Sequence, residues 1–143
     1  MKVLSFLIFT TMLVFLTISP VQAESLVIVT ARDNVEELST HDVARIFLGK
    51  VTSYPSGAEV VPLNMDPEDQ NYAEFARIVL KKTTSQLKAY WAKQVFTGKG
   101  RPPRSLGSSA KLRELVASHK RYLSYLDRND IDNSVRWVIE LRE

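Results

Sequence analysis

Two short stretches of this sequence end alike, Ile46-Phe47-Leu48-Gly49-Lys50 and Val95-Phe96-Thr97-Gly98-Lys99-Gly100. In each, an apolar run is followed by an aromatic residue, a glycine and a lysine. Apolar residues spaced three and four apart predict one face of a helix. A glycine directly after such a run is typical of a helix C-terminus, where it can adopt a positive φ. The two stretches therefore predict two helices with the same kind of end, and not a duplicated unit.

Runs of β-branched or alternating apolar residues predict strands elsewhere in the chain. Pro62 cannot donate a hydrogen bond to a ladder, so we expect it near the end or at the edge of its strand. Between residues 97 and 107, three glycines and two prolines predict an extended loop. The predicted strands cover residues 25–30, 59–64, 122–126 and 135–141.

Four helices are predicted from apolar periodicity and from capping residues. Ser39 followed by Asp42 has the capping-box pattern, and the pair Asp66-Pro67 is typical of a helix start. Ser108 or Ser109 is expected to cap the last helix. The expected apolar stripes are Val43, Ile46 and Phe47; Tyr72, Phe75, Ala76 and Val79; Leu87, Tyr90, Trp91 and Val95; and Leu112, Leu115, Val116 and His119.

The predicted elements follow one another as strand, helix, strand, three helices and two strands. This order predicts the α/β class, with a mixed sheet that is flanked by helices.

Residues 1–23 have the pattern of a secretory signal peptide. Lys2 gives a positive start, residues 3–18 are mostly apolar, and Val21-Gln22-Ala23 provides small residues for cleavage. The alternative is a retained membrane anchor, but the apolar stretch is shorter than the roughly 20 residues that span a bilayer. We therefore expect a periplasmic protein without membrane insertion after cleavage, in which residues 24–143 form one domain.

Charge is distributed unevenly along the chain. Residues 24–76 contain 3 basic and 10 acidic side chains, whereas residues 77–121 contain 12 basic side chains and one acidic one, Glu114. The basic middle predicts an anionic partner such as phosphate, a polyanionic glycan, lipid headgroups or an acidic protein. The alternative is a solvated basic face that pairs with the acidic first half of the same fold. Because the chain is expected to be exported, we do not expect nucleic acid as a partner.

Residues for enzyme or metal chemistry are scarce in this sequence. The absence of cysteine excludes thiol nucleophiles and cysteine metal sites. His41 and His119 lack a second histidine at metal-ligand spacing, and a histidine at a helix C-terminus complements the helix dipole. There is no nucleophile elbow and no glycine-rich phosphate loop. We therefore predict no catalytic residues, no metal and no cofactor.

Three parts of the chain resemble the substrate-binding proteins of phosphate ABC transporters, namely residues 38–50, 60–80 and 90–103. The most specific part is the Phe-Thr-Gly-Lys-Gly loop, which is preceded by Tyr90-Trp91 and followed by Arg101-Pro102-Pro103. The resemblance is to short single-domain members of the family. It implies a periplasmic-binding-protein-like fold of type 2, of which this chain forms a single lobe. In such proteins an anion lies between two lobes, held by hydroxyls and by N–H groups at helix N-termini.

The sequence departs from the family pattern in three places. Its length is sufficient for one lobe only. At residues 64–69, where larger members place glycine, serine and threonine, three carboxylates would repel phosphate and Pro67 has no N–H to donate. The late Ile-Gly-Tyr element of the family is Leu123-Ser124-Tyr125 here, without the glycine. The expected binding is therefore weak.

Seven residues are candidates for contact with an anion. Thr30 matches the first hydroxyl cluster of the family, and Asn64 begins the junction between the second strand and its helix. The cations of the glycine- and proline-rich loop can form charge-assisted hydrogen bonds, and the serines at the start of the last helix lie near free N–H groups. The alternatives are a solvated loop and serines that only cap. The predicted ligand-binding residues are Thr30, Asn64, Lys99, Arg101, Arg104, Ser108 and Ser109.

The resemblance and the charge pattern together predict an exported, non-enzymatic binding protein for phosphate or a related small oxyanion. The alternative is a periplasmic protein-interaction module, a partner of a sensor or of an envelope complex, built on half of a binding-protein fold. A homodimer in which each chain provides the other's missing lobe is compatible with both.

Overall fold

The computed structural model describes residues 25–142, and the predicted signal peptide at residues 1–23 lies outside this range. The strands are β1 (Leu26–Ala31), β2 (Val61–Met65), β3 (Arg104–Leu106), β4 (Tyr122–Asp127) and β5 (Val135–Glu140). The helices are α1 (Thr40–Phe47), α2 (Gln70–Ile78), α3 (Thr84–Phe96) and α4 (Ser109–Ser118), and a 3₁₀ turn at Arg128–Asp130 follows β4.

The strands form one sheet in the order β3-β2-β4-β1-β5. β2 is parallel to β3 and β4, whereas β1 is antiparallel to β4 and β5. The connection from β2 leads outward to the edge strand β3, whereas the connection from β3 leads back past β2 to β4. Since crossovers between parallel strands are almost always right-handed, we expect the α2–α3 pair and α4 on opposite faces of the sheet. The predicted mixed sheet flanked by helices is confirmed.

Three buried aromatic side chains join the helices to the sheet. The rings of Phe75 and Tyr125 are stacked with centroids 3.9 Å apart. The ring of Phe47 lies 4.6 Å from that of Phe75 and 5.8 Å from that of Tyr125. Through these contacts α1 and α2 pack against the same face of β4.

The two similar stretches do form two similar helix ends. Gly49 and Gly98 have φ of 67° and 68°. The N–H of Lys50 donates to the carbonyl of Arg45, and the N–H of Lys99 donates to that of Gln94, each over 2.9 Å. Both turns satisfy carbonyls that the last helical turn leaves unpaired, as in a Schellman motif.

The two glycines predict a matched pair of stability effects. Alanine at either position is strained by the positive φ, which costs about 1 kcal/mol. At Gly49 a Cβ would also lie 3.2 Å from Cη2 of Trp91, whereas at Gly98 it would meet nothing within 4 Å. We therefore expect Gly49→Ala to lower the free energy of unfolding more than Gly98→Ala. Urea unfolding of both variants checks this, and equal losses would contradict the role of the Trp91 contact.

The predicted start of the second helix is wrong by three residues, because the N-cap is Asp69 and not Asp66. Asp66 Oδ1 accepts the N–H of Glu68 over 3.0 Å, and its carbonyl accepts the N–H of Asp69 over 2.9 Å. These bonds close a turn ahead of the helix, with Pro67 at its second position, where proline is favoured. Asp69 then accepts the N–H of Asn71 over 2.8 Å.

The predicted loop at 97–107 contains a strand, since β3 pairs with the end of β2. Three residues are too few for a period-2 pattern to be recognised. Two stripe residues are also corrected, because Val95 and His119 are exposed. Val95 lies in the last turn of α3, beyond the buried Trp91, and His119 follows the end of α4 in extended backbone.

Candidate functional site

The carboxyl ends of β2, β3 and β4 meet at one edge of the sheet, because these neighbouring strands run in parallel. In open α/β sheets, ligands bind at the carboxyl ends of parallel strands. Asn64 pairs with Ser105, and Met65 pairs with Leu106. Ser108 therefore lies two residues after Leu106, the last paired residue of β3. Residues 64–66 and 107–109 form what we call the carboxyl edge. It includes three of the predicted ligand residues, Asn64, Ser108 and Ser109.

The N-terminus of α4 provides hydrogen-bond donors at the carboxyl edge. Ser108 is the N-cap, with φ −158° and ψ 150°, and its Oγ accepts the N–H of Lys111 over 3.3 Å. The N–H groups of Ser109 and Ala110 lie in the first turn, where the helix itself provides no acceptor. These groups and the positive end of the helix dipole favour an anion there. The capping role of Ser108 leaves its hydroxyl proton free to donate.

Asn64 is held in place by Tyr125. The side chain of Asn64 is 6% exposed, and its Oδ1 accepts the Tyr125 hydroxyl proton over 3.3 Å. The same hydroxyl accepts the N–H of Met65 over 3.3 Å. Burial raises the pKa of Tyr125, so the hydroxyl stays protonated and can fill both roles at neutral pH. The end of β2 is thus fixed relative to β4.

The N-terminus of α2 lies at the same edge but is occupied by carboxylates of the chain itself. The side chains of Asp66 and Asp69 accept the N–H groups of Glu68 and Asn71. An external anion would therefore find these two donors already bonded, and the charges of three nearby acidic residues would repel it. At this edge, the N-terminus of α4 therefore favours a bound anion, whereas the N-terminus of α2 disfavours it.

Thr30 lies away from the carboxyl edge. It pairs with Leu123, which in turn pairs with Pro62, near the amino end of β2. Its residue exposure is 0%, and its hydroxyl has no hydrogen-bond partner among the described residues. The sequence places Thr30 at the end of a strand, but the strand continues to Ala31, and the antiparallel direction of β1 sets the residue at the opposite end of the sheet.

Removing the Thr30 hydroxyl should stabilise the protein. A buried hydroxyl without a partner costs about 1–3 kcal/mol, and valine has nearly the same shape. We expect Thr30→Val to raise the free energy of unfolding by about 1 kcal/mol. The contrasting variant is Ser124→Ala, because Ser124 Oγ donates to the carbonyl of Leu63 over 2.8 Å and its loss should destabilise. Chemical denaturation measures both; a destabilised Thr30→Val variant would contradict the assignment.

The three predicted cations lie on another part of the surface. Arg101 and Arg104 line a cavity of about 360 Å³ beside the amino half of β2, together with Val60, Pro62 and Trp91. Lys99 is exposed in the turn that precedes this cavity. The structure therefore brings Arg101 and Arg104 to one cavity, whose lining includes neither Thr30 nor Ser108 and Ser109. Their contact with an anion stays a prediction.

Comparison with known proteins yields structural neighbours only. No family model and no curated protein matches the sequence. The fold matches a putative phosphate ABC transporter substrate-binding protein with bound phosphate from Clostridium perfringens (TM-score 0.65, 18% identity, 80% of this chain and 44% of that one). It also matches an ABC-type phosphate transport receptor from Vibrio cholerae (0.63, 13%, 80% and 45%) and PstS from Borrelia burgdorferi (0.59, 12%, 80% and 46%).

The chain has the fold of one lobe of a phosphate substrate-binding protein. It spans less than half the length of the structures that it matches. The resemblance inferred from the sequence and the predicted single-lobe α/β fold are both confirmed.

Two residues of this lobe are not among the candidates predicted from the sequence. Tyr125 positions Asn64, and Lys111 places a cation in the first turn of α4. The strand alternation of residues 122–126 predicts Tyr125 in the sheet, but only the pairing of β2 with β4 brings its hydroxyl to Asn64. Within residues 25–142, no group of three or more His, Asp or Glu side chains could hold a metal ion. None of the helices in this range has the length and apolarity to cross a membrane.

Proposed function

We propose that this chain is an exported, periplasmic, non-enzymatic binding protein for phosphate or a related small oxyanion, with the carboxyl edge as its site. The observation that carries the proposal is the start of α4 beside Asn64 at the ends of three parallel strands, in a fold that phosphate-binding proteins share. In the proposed complex the anion accepts hydrogen bonds from the N–H groups of Ser109 and Ala110 and from the hydroxyls of Ser108 and Ser109. The amide of Asn64 and the charge of Lys111 support it.

The expected affinity is low. One lobe contributes one side of a cage, and the carboxylates at the start of α2 repel an anion. A dissociation constant on the order of 1 mM corresponds to about 4 kcal/mol, which a few charge-assisted hydrogen bonds can provide.

Thermal unfolding in the presence of anions tests the proposal. Ligands that bind only the native state raise its stability, and about 10 mM phosphate at this affinity adds about 1.4 kcal/mol. We expect phosphate and sulfate to raise the melting temperature, whereas chloride at equal ionic strength should not. Flat curves for both oxyanions would overturn the proposal.

A proline substitution locates the site without changing any charge. Ser109 occupies the first helical position, where proline is accepted, and Ser108 before it has the extended backbone that proline requires. Ser109→Pro therefore removes one N–H donor and one hydroxyl while the helix start is kept. The matched control is Thr84→Pro at the first position of α3, which follows the extended Thr83. Loss of the phosphate response in Ser109→Pro alone supports the site, and an unchanged response excludes it.

The second candidate is a protein-interaction module that binds an envelope partner or a second copy through the carboxyl edge. It is favoured by the segment at the start of α2, where carboxylates of the chain already accept the N–H groups of Glu68 and Asn71. Light scattering tests the homodimer, and a monomer at all concentrations would exclude it. If phosphate has no effect and the chain self-associates, this candidate replaces the first.

A further inference from the structure

The last turn of α3 presents an aromatic side chain to solvent. Phe96 is 92% exposed and Val95 is 51% exposed. At the matching position of the other stretch, Phe47 is 1% exposed and lies in the core. The two helix ends have the same geometry although one phenylalanine is buried and the other is exposed. Packing of the phenylalanine ring is therefore not needed to form the turn.

The surface around Phe96 is basic and is not neutralised by the rest of the chain. Residues 84–108 contain five basic side chains and no acidic one. All five residues are exposed, and none of them has an ion-pair partner among residues 25–142. The acidic first half of the sequence therefore does not cover this charge. The five cations are Lys88, Lys93, Lys99, Arg101 and Arg104.

Helix geometry places the cations around the aromatic tip. Lys93 and Phe96 are three residues apart and share a face of α3. The turn at Gly98 then brings Lys99 and Arg101 next to the same helix end, and nothing lies within 4 Å of the site where a Gly98 Cβ would stand. The result is an exposed tip, with one large apolar group between several long cationic side chains.

We propose that this tip, residues 93–101, binds the surface of membranes that contain anionic phospholipids. Phe96 enters the boundary between headgroups and acyl chains, as aromatic residues do at membrane interfaces. Lys93, Lys99 and Arg101 contact lipid phosphates, because clustered cations are attracted to an anionic leaflet. An exposed ring among several unpaired cations complements a membrane surface, which offers both an apolar interior and many phosphates.

This surface is independent of the proposed oxyanion site. Arg101 lines the cavity beside Val60, ahead of β2, whereas the carboxyl edge begins at the other end of that strand. Loss of phosphate binding in Ser109→Pro should therefore leave membrane binding unchanged. The two proposals can fail separately.

Sedimentation with vesicles tests the proposal. Residues 24–143, which include every strand and helix of the described fold, avoid the apolar stretch at residues 3–18 that would itself bind lipid. We expect binding to vesicles of equal parts phosphatidylglycerol and phosphatidylcholine, and little binding to pure phosphatidylcholine. The binding should weaken as salt is raised, because the attraction is electrostatic. Equal binding to both vesicles, or binding to neither, would overturn the proposal.

Matched variants assign the binding to the tip. Phe96→Ala should weaken binding to the anionic vesicles about ten-fold, because it removes the inserted ring. Lys99→Gln with Arg101→Gln should weaken it about 25-fold, at roughly five-fold for each cation. The controls are Val35→Ala, which removes an exposed apolar group elsewhere, and Lys120→Gln with Arg142→Gln, which removes two exposed charges elsewhere. Losses of equal size in tip variants and controls would show non-specific attraction and overturn the assignment.

Discussion

Replacement of Phe75 by alanine is expected to destabilise the protein by about 4 kcal/mol, the usual loss for a buried phenylalanine. The ring of Phe75 lies between α1 and the sheet, stacked on Tyr125 and in contact with Phe47. Its removal would leave a cavity between α2 and β4 and would end both aromatic contacts. Since the free energy of unfolding of native domains is only about 5–15 kcal/mol, this single change should remove a large part of it.

The matched control for this variant is Phe96→Ala, the same change at a residue that is almost fully exposed. It should alter the free energy of unfolding by less than about 0.5 kcal/mol. Urea unfolding with a circular dichroism readout measures both variants. A small loss for Phe75→Ala, or similar losses for the two, would contradict the packing described for the aromatic cluster.

Local sequence signals predicted the helix ends well. The capping box of Ser39 and Asp42 and the glycines at 49 and 98 act within a few residues, so their geometry depends little on the rest of the chain. The start of α2 was not predicted correctly because two aspartates three residues apart can both cap, and Pro67 fits either the first position of a helix or the second position of a turn.

Long-range pairing determined the features that local signals could not predict. The phenylalanines at 47 and 96 follow the same pattern, yet one is buried and the other exposed, because only the end of α1 is covered by α2 and the sheet. Thr30 belongs to a strand that the sequence predicts well. The antiparallel direction of β1, which sets its distance from the carboxyl edge, is decided by pairing with β4 and β5.

The candidate site also contains one residue that a local signal predicts and one that only long-range pairing places. Ser108 was predicted as a capping residue and caps α4, because serine before an apolar-periodic run is a local signal. The contact of Asn64 with Tyr125 joins residues 61 positions apart in the chain. No spacing rule relates them, and the placement of Asn64 follows only from the parallel pairing of β2 and β4.

Removing the charges at the start of α2 is expected to strengthen oxyanion binding about ten-fold. The variant combines Asp66→Asn with Asp69→Ser. Asparagine can still accept the N–H of Glu68, and serine is as good an N-cap as aspartate, so both local hydrogen bonds are kept. Only two negative charges are lost. Each charge several ångströms from a bound anion in a hydrated site costs about 0.7 kcal/mol, which gives about ten-fold for the pair.

Phosphate titration followed by calorimetry or by thermal shift measures this gain. A control for net charge is Glu36→Gln with Glu37→Gln, which removes two negative charges from the segment between β1 and α1. If the gain depends on proximity, the control should change the affinity much less than the α2 variant. An α2 variant that folds normally and binds phosphate no better than the native chain would mean that the anion does not lie at the carboxyl edge. Because this variant keeps the cap of α2 and the turn that precedes it, lost structure would not account for that result.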